Sequence, residues 1–265
     1  RLRNTFSYLL GALDGYVGDL SDTGEVPELE VYMIALLSEL DGKLRKAAED
    51  YDFNTYTRLL VDFCNDDLSA FFFDIRKDAL YCDGENSTRR NAYRAVLDTL
   101  FHALVRYAAP VLVFTAEEVW QTRYPEDGEP DENGVRGSVH LLEWPSVPQV
   151  PADHAKWDAL RALRERVTEA IEPLRREKVI RSSNEAFVTV PASAVPAGVS
   201  DEQLAELFIT GTVTRHDKNE VLVIKSTDHK CGRCWRLLPD VAEDGALCGR
   251  CDAVVKDWDA RALPA

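Results

Sequence analysis

Lys230-Cys231-Gly232-Arg233-Cys234-Trp235-Arg236 is answered, with thirteen residues between Cys234 and Cys248, by Cys248-Gly249-Arg250-Cys251. Two Cys-x-x-Cys turns at that spacing read as one four-thiolate zinc site, because each turn brings two sulfurs within reach of a tetrahedral ion. So short a segment holds too little apolar material for a core of its own. Metal binding, worth about 10 kcal/mol or more, then serves as folding free energy. Cys231, Cys234, Cys248 and Cys251 fill all four positions, so the expected zinc is structural, with no place for a reacting water. A thioredoxin-like pair would stand alone at a helix start, and the common iron–sulfur spacings differ from this one. Arg233, Trp235, Arg236 and Arg250, held on a rigid turn, offer cationic and aromatic groups to a nucleic acid, although Trp235 would serve equally as a hydrophobic lid over the metal.

The other cysteines, Cys64 and Cys82, lie among apolar helical residues, which fits a reducing setting better than a disulfide framework. With 265 residues, 45% of them hydrophobic, the chain has material for two or three domains. No apolar run approaches the roughly 20 residues that span a bilayer, so neither a membrane helix nor a signal peptide is expected. Net charge is −15, and the imbalance is uneven: residues 1–150 carry 14 basic against 27 acidic side chains, residues 151–265 carry 17 against 19. Bulk charge therefore opposes nonspecific nucleic-acid binding, and any RNA contact must use local basic clusters.

Upstream of the cysteines the apolar period is helical. Leu2, Phe6, Leu9, Leu10 and Leu13 mark one helix, a second opens at Pro27 and runs to about Asp50, and a third extends from Phe53 to Tyr81. Three consecutive phenylalanines, 71 to 73, cannot all face one core, so a second neighbour is expected there. Ser87 caps a helix over Thr88–Ala108, and Thr115 with Glu118 has the pattern of a capping box opening another. The acidic run Pro125–Gly137 reads as a surface loop, Ser138–Trp144 as a short extended segment, and prolines 145, 148 and 151 as a linker. Residues 152–179 form one more amphipathic helix, with Pro173 placed to kink it. Beyond Ser183 the period changes to two, giving strands near Ala186–Val190, Ile209–Thr214 and Val221–Ile224 around a helix at Glu202–Phe208. The expected fold is mainly α: an antiparallel helical bundle over 1–150, a junction helix with a small α+β unit over 151–227, and a four-cysteine zinc module over 228–265.

Catalytic patterns are missing. There is no glycine-rich phosphate loop, no His-Glu-x-x-His and no Gly-x-Ser-x-Gly. His102 reads as a satisfied core histidine, and His229 as a competing but superfluous metal ligand.

Arg3-Asn4-Thr5-Phe6, Tyr51-Asp52-Phe53, Asp74-Ile75-Arg76-Lys77-Asp78, Ala103-Leu104-Val105-Arg106 and Phe114-Thr115-Ala116-Glu117-Glu118-Val119-Trp120, followed by the paired cysteine turns, together resemble the C-terminal part of a bacterial-type isoleucyl-tRNA synthetase. The helical motifs are shared more loosely by the valyl and leucyl enzymes, and the terminal cysteines favour isoleucine. The resemblance implies an anticodon-binding bundle cut from a longer polypeptide, as the start at Arg1 and the single methionine, Met33, also do. It implies binding of tRNA(Ile) without charging it, since both ATP-handling signatures of the family and its editing domain are missing; ATP would be used only by the full-length enzyme. The other implied partner is the remainder of the same polypeptide, and the implied state is a cytoplasmic monomer. Candidate tRNA contacts are Arg3, Asn4, Arg76, Lys77, Arg175, Arg176, Lys178, Arg181, Lys230, Arg233, Trp235 and Arg236. Each has a plainer reading as a solvated charge; for Arg76 and Lys77 this is an ion pair with Asp74 or Asp78, and for Arg175, Arg176 and Lys178 a complement to the helix dipole. An acidic protein-interaction scaffold with a zinc ribbon is the competing class, and it predicts an apolar surface patch and little dependence on salt.

Overall fold

The computed structural model describes residues 2–18, 20, 24–125 and 137–262. Most of the expected acidic loop, residues 126–136, lies outside them. The chain divides into two compact units, one of residues 1–80 and 85–152, the other of residues 81–84 and 153–265.

The first unit is the helical bundle. Helix α1 spans Leu2–Ala12 and α2 spans Glu28–Glu49. The third helix has three parts: α3 at Phe53–Asp62, a π-helical stretch at Phe63–Phe72, and α4 at Phe73–Cys82. The π stretch is what admits three buried phenylalanines in a row. Changing the residues per turn re-aims successive side chains, so Phe71 meets Tyr32 of α2 edge-on, Phe72 meets Tyr93, and Phe73 stacks on Tyr8 of α1 at 4.3 Å. The second neighbour expected from sequence is real, and there is a third.

Helix α5, Thr88–Ala108, carries Tyr93 and is capped by Ser87 as expected, its Oγ accepting from the Arg90 N–H. It packs against α1, α2 and α6 (Val113–Arg123), and Val96, Leu97, Leu100 and Leu104 are wholly buried along it. Helix α6 begins two residues before Thr115, with no side-chain cap, so the capping box does not form. Its two carboxylates have other work. Glu118 pairs with Arg3 at 3.0 Å, and Glu117 accepts from Ser138 Oγ and the Val139 N–H. Those bonds fold Val139–Leu141 into a 3₁₀ turn where an extended segment was expected.

Two buried polar arrangements hold the helices in register. Arg76 of α4 donates twice to Glu30 of α2, each bond 2.6 Å, with both side chains almost fully buried. Asp41 accepts from Tyr107 Oη and Trp144 Nε1 at 2.6 Å and from Arg45 Nε at 2.8 Å. Burial by itself would raise the Asp41 pKa, but these donors outweigh it and hold the carboxyl below its usual range. His102 is the satisfied histidine its sequence context indicated, its Nε2 at 3.0 Å from Tyr124 Oη and its ring against Trp120.

The second unit opens with α7, His154–Arg176, capped by Asp153 and buried along Trp157, Leu160, Leu163, Val167 and Ile171. The helix continues through Pro173. It ends in a Schellman turn, with Lys178 N–H bonded to Arg175 C=O, Val179 N–H bonded to Leu174 C=O, and Lys178 left-handed at φ 60°. Strands β1 (Ala186–Pro191), β2 (Thr212–His216) and β3 (Leu222–Lys225) form a sheet in the order β2-β1-β3, with β1 parallel to β2 and antiparallel to β3. Helix α8, Asp201–Phe208, makes the crossover and carries a complete capping box between Ser200 and Gln203. A two-residue ladder, β4 (His229–Lys230) with β5 (Leu237–Leu238), and helix α9 (Gly249–Ala262) frame the cysteines.

Candidate metal centre and nucleic-acid interface

The four cysteines converge. Their Sγ atoms lie within 4.8 Å of one another, all four residues are buried, and Cys234 Sγ is 3.9 Å from Cys248 Sγ. Zinc–sulfur bonds of about 2.3 Å in a tetrahedron place sulfurs about 3.8 Å apart, so the donor set fits one zinc ion. The first turn is closed by bonds from Cys231 N–H to Arg236 C=O and from Trp235 N–H to Cys231 C=O. Gly232 is required there, since a Cβ would overlap the Gly245 carbonyl oxygen; Gly249 is under no such constraint, a Cβ meeting only Asp240 Oδ2 at 3.4 Å. Val241 and the partly buried Leu238, Ala246 and Leu247 pack around the sulfurs, together with Cys82.

The thiols differ in acidity. Burial opposes ionisation of Cys231, yet the N–H groups of Cys248, Cys234 and Arg233 aimed at its sulfur outweigh burial and bring it down to about 6. Burial, with the neighbouring sulfurs, pushes Cys234 and Cys248 up. That is the pattern of a cluster whose further thiolates need a cation beside them. His229 takes no part in it; its exposed ring faces Asp244 at 3.6 Å.

The candidate cations divide sharply. Arg76 is interior and committed to Glu30, a partner 46 residues away, so it offers nothing to a surface ligand. Lys77 is exposed and pairs with Asp74 at 3.3 Å, Arg3 is exposed and pairs with Glu118, and Arg175 is exposed beside Glu172. Asn4 is exposed on α1. Arg233 turns inward, its guanidinium donating to the Cys82 and Tyr81 carbonyls and lying 3.7 Å from Cys251 Sγ. Arg236 donates to the carbonyls of Thr210 and Gly211, and Arg250 pairs with Asp83 at 3.2 Å. Arg176, Lys178, Arg181 and Lys230 are exposed, and their side chains make no ion pair among the described residues.

Several of these free groups share one end of the sheet. There β1 and β2 begin and β3 finishes: Ser226 N–H bonds Glu185 C=O, Gly211 N–H bonds Ala186 C=O, and the Arg181 N–H bonds the Glu185 carboxylate. The cysteine turn is fixed to the same end through Arg236, and by Gly211, where a Cβ would come within 2.6 Å of the Leu237 carbonyl oxygen. Arg181, Lys225 and Lys230 are therefore carried on segments that meet at one end of the sheet. Lys225 was missed in the sequence reading; its place at the last position of a short strand was the available signal. Trp235 is 64% exposed and left-handed at φ 64°, so it projects outward and does not cover the metal.

The chain thus combines a helical bundle in one unit with, in the other, a small α/β sheet and a four-cysteine turn fit for one zinc ion. The family described as "Anticodon-binding domain of tRNA ligase" matches residues 30–190, more than half of the chain, and the chain belongs to that family. A second, described as "Zinc finger found in FPG and IleRS", matches residues 228–254. Among curated proteins the chain is similar to isoleucine–tRNA ligases: 51% identical over 267 residues to that of Zymomonas mobilis, 42% over 274 to that of Gluconobacter oxydans and 40% over 278 to that of Ruegeria pomeroyi. Each alignment covers 96% of this chain and about 27–28% of the relative. Among the described residues no helix is long and apolar enough to cross a membrane.

Proposed function

We propose that this chain binds the anticodon arm of tRNA(Ile) on behalf of an isoleucine–tRNA ligase, positioning the tRNA for aminoacylation performed elsewhere in the longer polypeptide. ATP and isoleucine activation belong, on this reading, to the part of the relatives that the chain does not match. The reading carries with it a cytoplasmic monomer whose other partner is the remainder of its own polypeptide.

The observation that supports it is the match of residues 30–190 to the anticodon-binding family, beside a cysteine turn that carries exposed cationic and aromatic side chains. Lys178 and Trp235 both hold left-handed backbone, where glycine would be cheaper by about 1 kcal/mol, and both present their side chains to solvent. Arg176, Arg181, Lys225 and Lys230, exposed and without an ion pair within 4 Å among the described residues, supply charge for phosphates, and the Trp235 face supplies a stacking surface for an unpaired base.

Salt dependence tests this. Replacing Arg176, Lys178, Arg181 and Lys230 together by glutamine is expected to flatten the slope of log K against log salt by about 3, at about 0.7 per single-strand phosphate contact. Trp235→Ala is expected to cost about 1–3 kcal/mol with the slope unchanged. A quadruple variant that binds with the original slope would refute the assignment.

A specific observation also favours the scaffold reading. Val113 and Phe114 at the start of α6 and Leu141 beside them are exposed, Phe114 by 90%, and His140 Nε2 lies 3.1 Å from the Val113 carbonyl oxygen, which brings the two segments together. Protein binding there would be insensitive to salt and to the cationic substitutions above.

A further inference from the structure

We propose that Arg233 is a positioning residue of the metal centre, and that the centre is completed by Tyr81–Gly84, a segment about 150 residues earlier in the chain. Four thiolates exceed the charge of one zinc ion by two, so a buried tetrathiolate site needs compensating donors around it. The Arg233 guanidinium is the cation at hand. It reaches 3.7 Å from Cys251 Sγ while donating to the carbonyls of Cys82 and Tyr81 at the end of α4. One planar group thus joins a sulfur to a helix end.

Two further contacts fix the same segment, and a third residue of it lies beside α9. The Cys82 side chain packs into the cluster of metal-binding cysteines. Arg250, between Cys248 and Cys251, pairs with Asp83, whose side chain is only 6% exposed. Gly84 lies where a Cβ would touch Val254 of α9 at 3.7 Å. All of these residues fall within the second compact unit. The match to the zinc-finger family covers 228–254 alone, and the sequence pattern assigned Arg233 to RNA. Its geometry assigns it to the metal.

The test uses the whole chain, loaded with zinc or cobalt, as Arg233→Gln and Arg233→Lys. Zinc transfer to a colorimetric chelator is expected to be at least about tenfold faster for Arg233→Gln, the lower end of what outer-shell substitutions cost in metal affinity, and intermediate for Arg233→Lys, which keeps charge but not the fork. In the cobalt form, loss of the donor to Cys251 is expected to move the thiolate-to-metal band to lower energy. Unchanged release would overturn the proposal, whatever happens to tRNA binding. So would faster release with an unmoved band and no benefit from lysine, because that combination of results describes general loosening of the fold. Both readouts are made without RNA, so failure here and failure of the anticodon reading are separable.

Discussion

Stripping the zinc with a chelator, or replacing Cys234 by serine, unfolds residues from about 228 to 256 and leaves the helical signal of the first unit largely intact. The reason is the size of the local core. Among the described residues the apolar side chains clustered with the four sulfurs are Val241, Cys82 and the half-buried Leu238, Ala246 and Leu247, which is far less apolar area than the conformational entropy of some thirty residues requires. Structural zinc contributes about 10–16 kcal/mol in such modules, and no other interaction in the segment approaches that. Hydrogen exchange followed by mass spectrometry checks it: amides of 228–256, and those of Tyr81–Gly84, lose protection on chelation and regain it when zinc is added back. Protection that survives chelation, or collapse of the entire chain, would contradict the assignment.

Arg76→Ala, or Glu30→Ala, destabilises the bundle by about 3–5 kcal/mol, because either leaves one buried charge without its partner. The pair has two 2.6 Å bonds and virtually no exposure. Replacing both residues by apolar ones of similar volume, Glu30→Leu with Arg76→Met, is expected to recover most of that loss. Denaturant unfolding of the four proteins measures this, and the salt slope for tRNA binding is expected to stay the same in every one that folds. A lowered slope in Arg76→Ala with wild-type stability would return Arg76 to the RNA-binding surface.

Features with a local cause could be read from the chain. Cysteine spacing, the helical period and the Ser87 cap are set by neighbours a few residues away, and each has its place in the structure. Long-range pairings could not be read in this way. Lys77 does pair with Asp74 as its plainer reading had it, but the partner of Arg76 is Glu30, on another helix, and the nearby Asp74 and Asp78 drew attention from it. Arg233 and Arg236 are spent on backbone carbonyls, which every residue possesses and which therefore leave no mark in a sequence. The Thr115-x-x-Glu118 pattern is real as spelling, but Glu118 meets Arg3 and the helix starts two residues earlier. Nor does periodicity distinguish the π-helical turns from α-helical ones, although they decide how Phe71, Phe72 and Phe73 are shared among three helices.

The central claim is recognition of an anticodon arm, and the most direct test is binding of the zinc-loaded chain to a tRNA(Ile) transcript and to the same transcript with its anticodon bases replaced, across a salt series. The account predicts tighter binding to the authentic anticodon, with affinity for both falling steeply as salt rises. Equal binding to the two transcripts, or binding indifferent to salt, would contradict it.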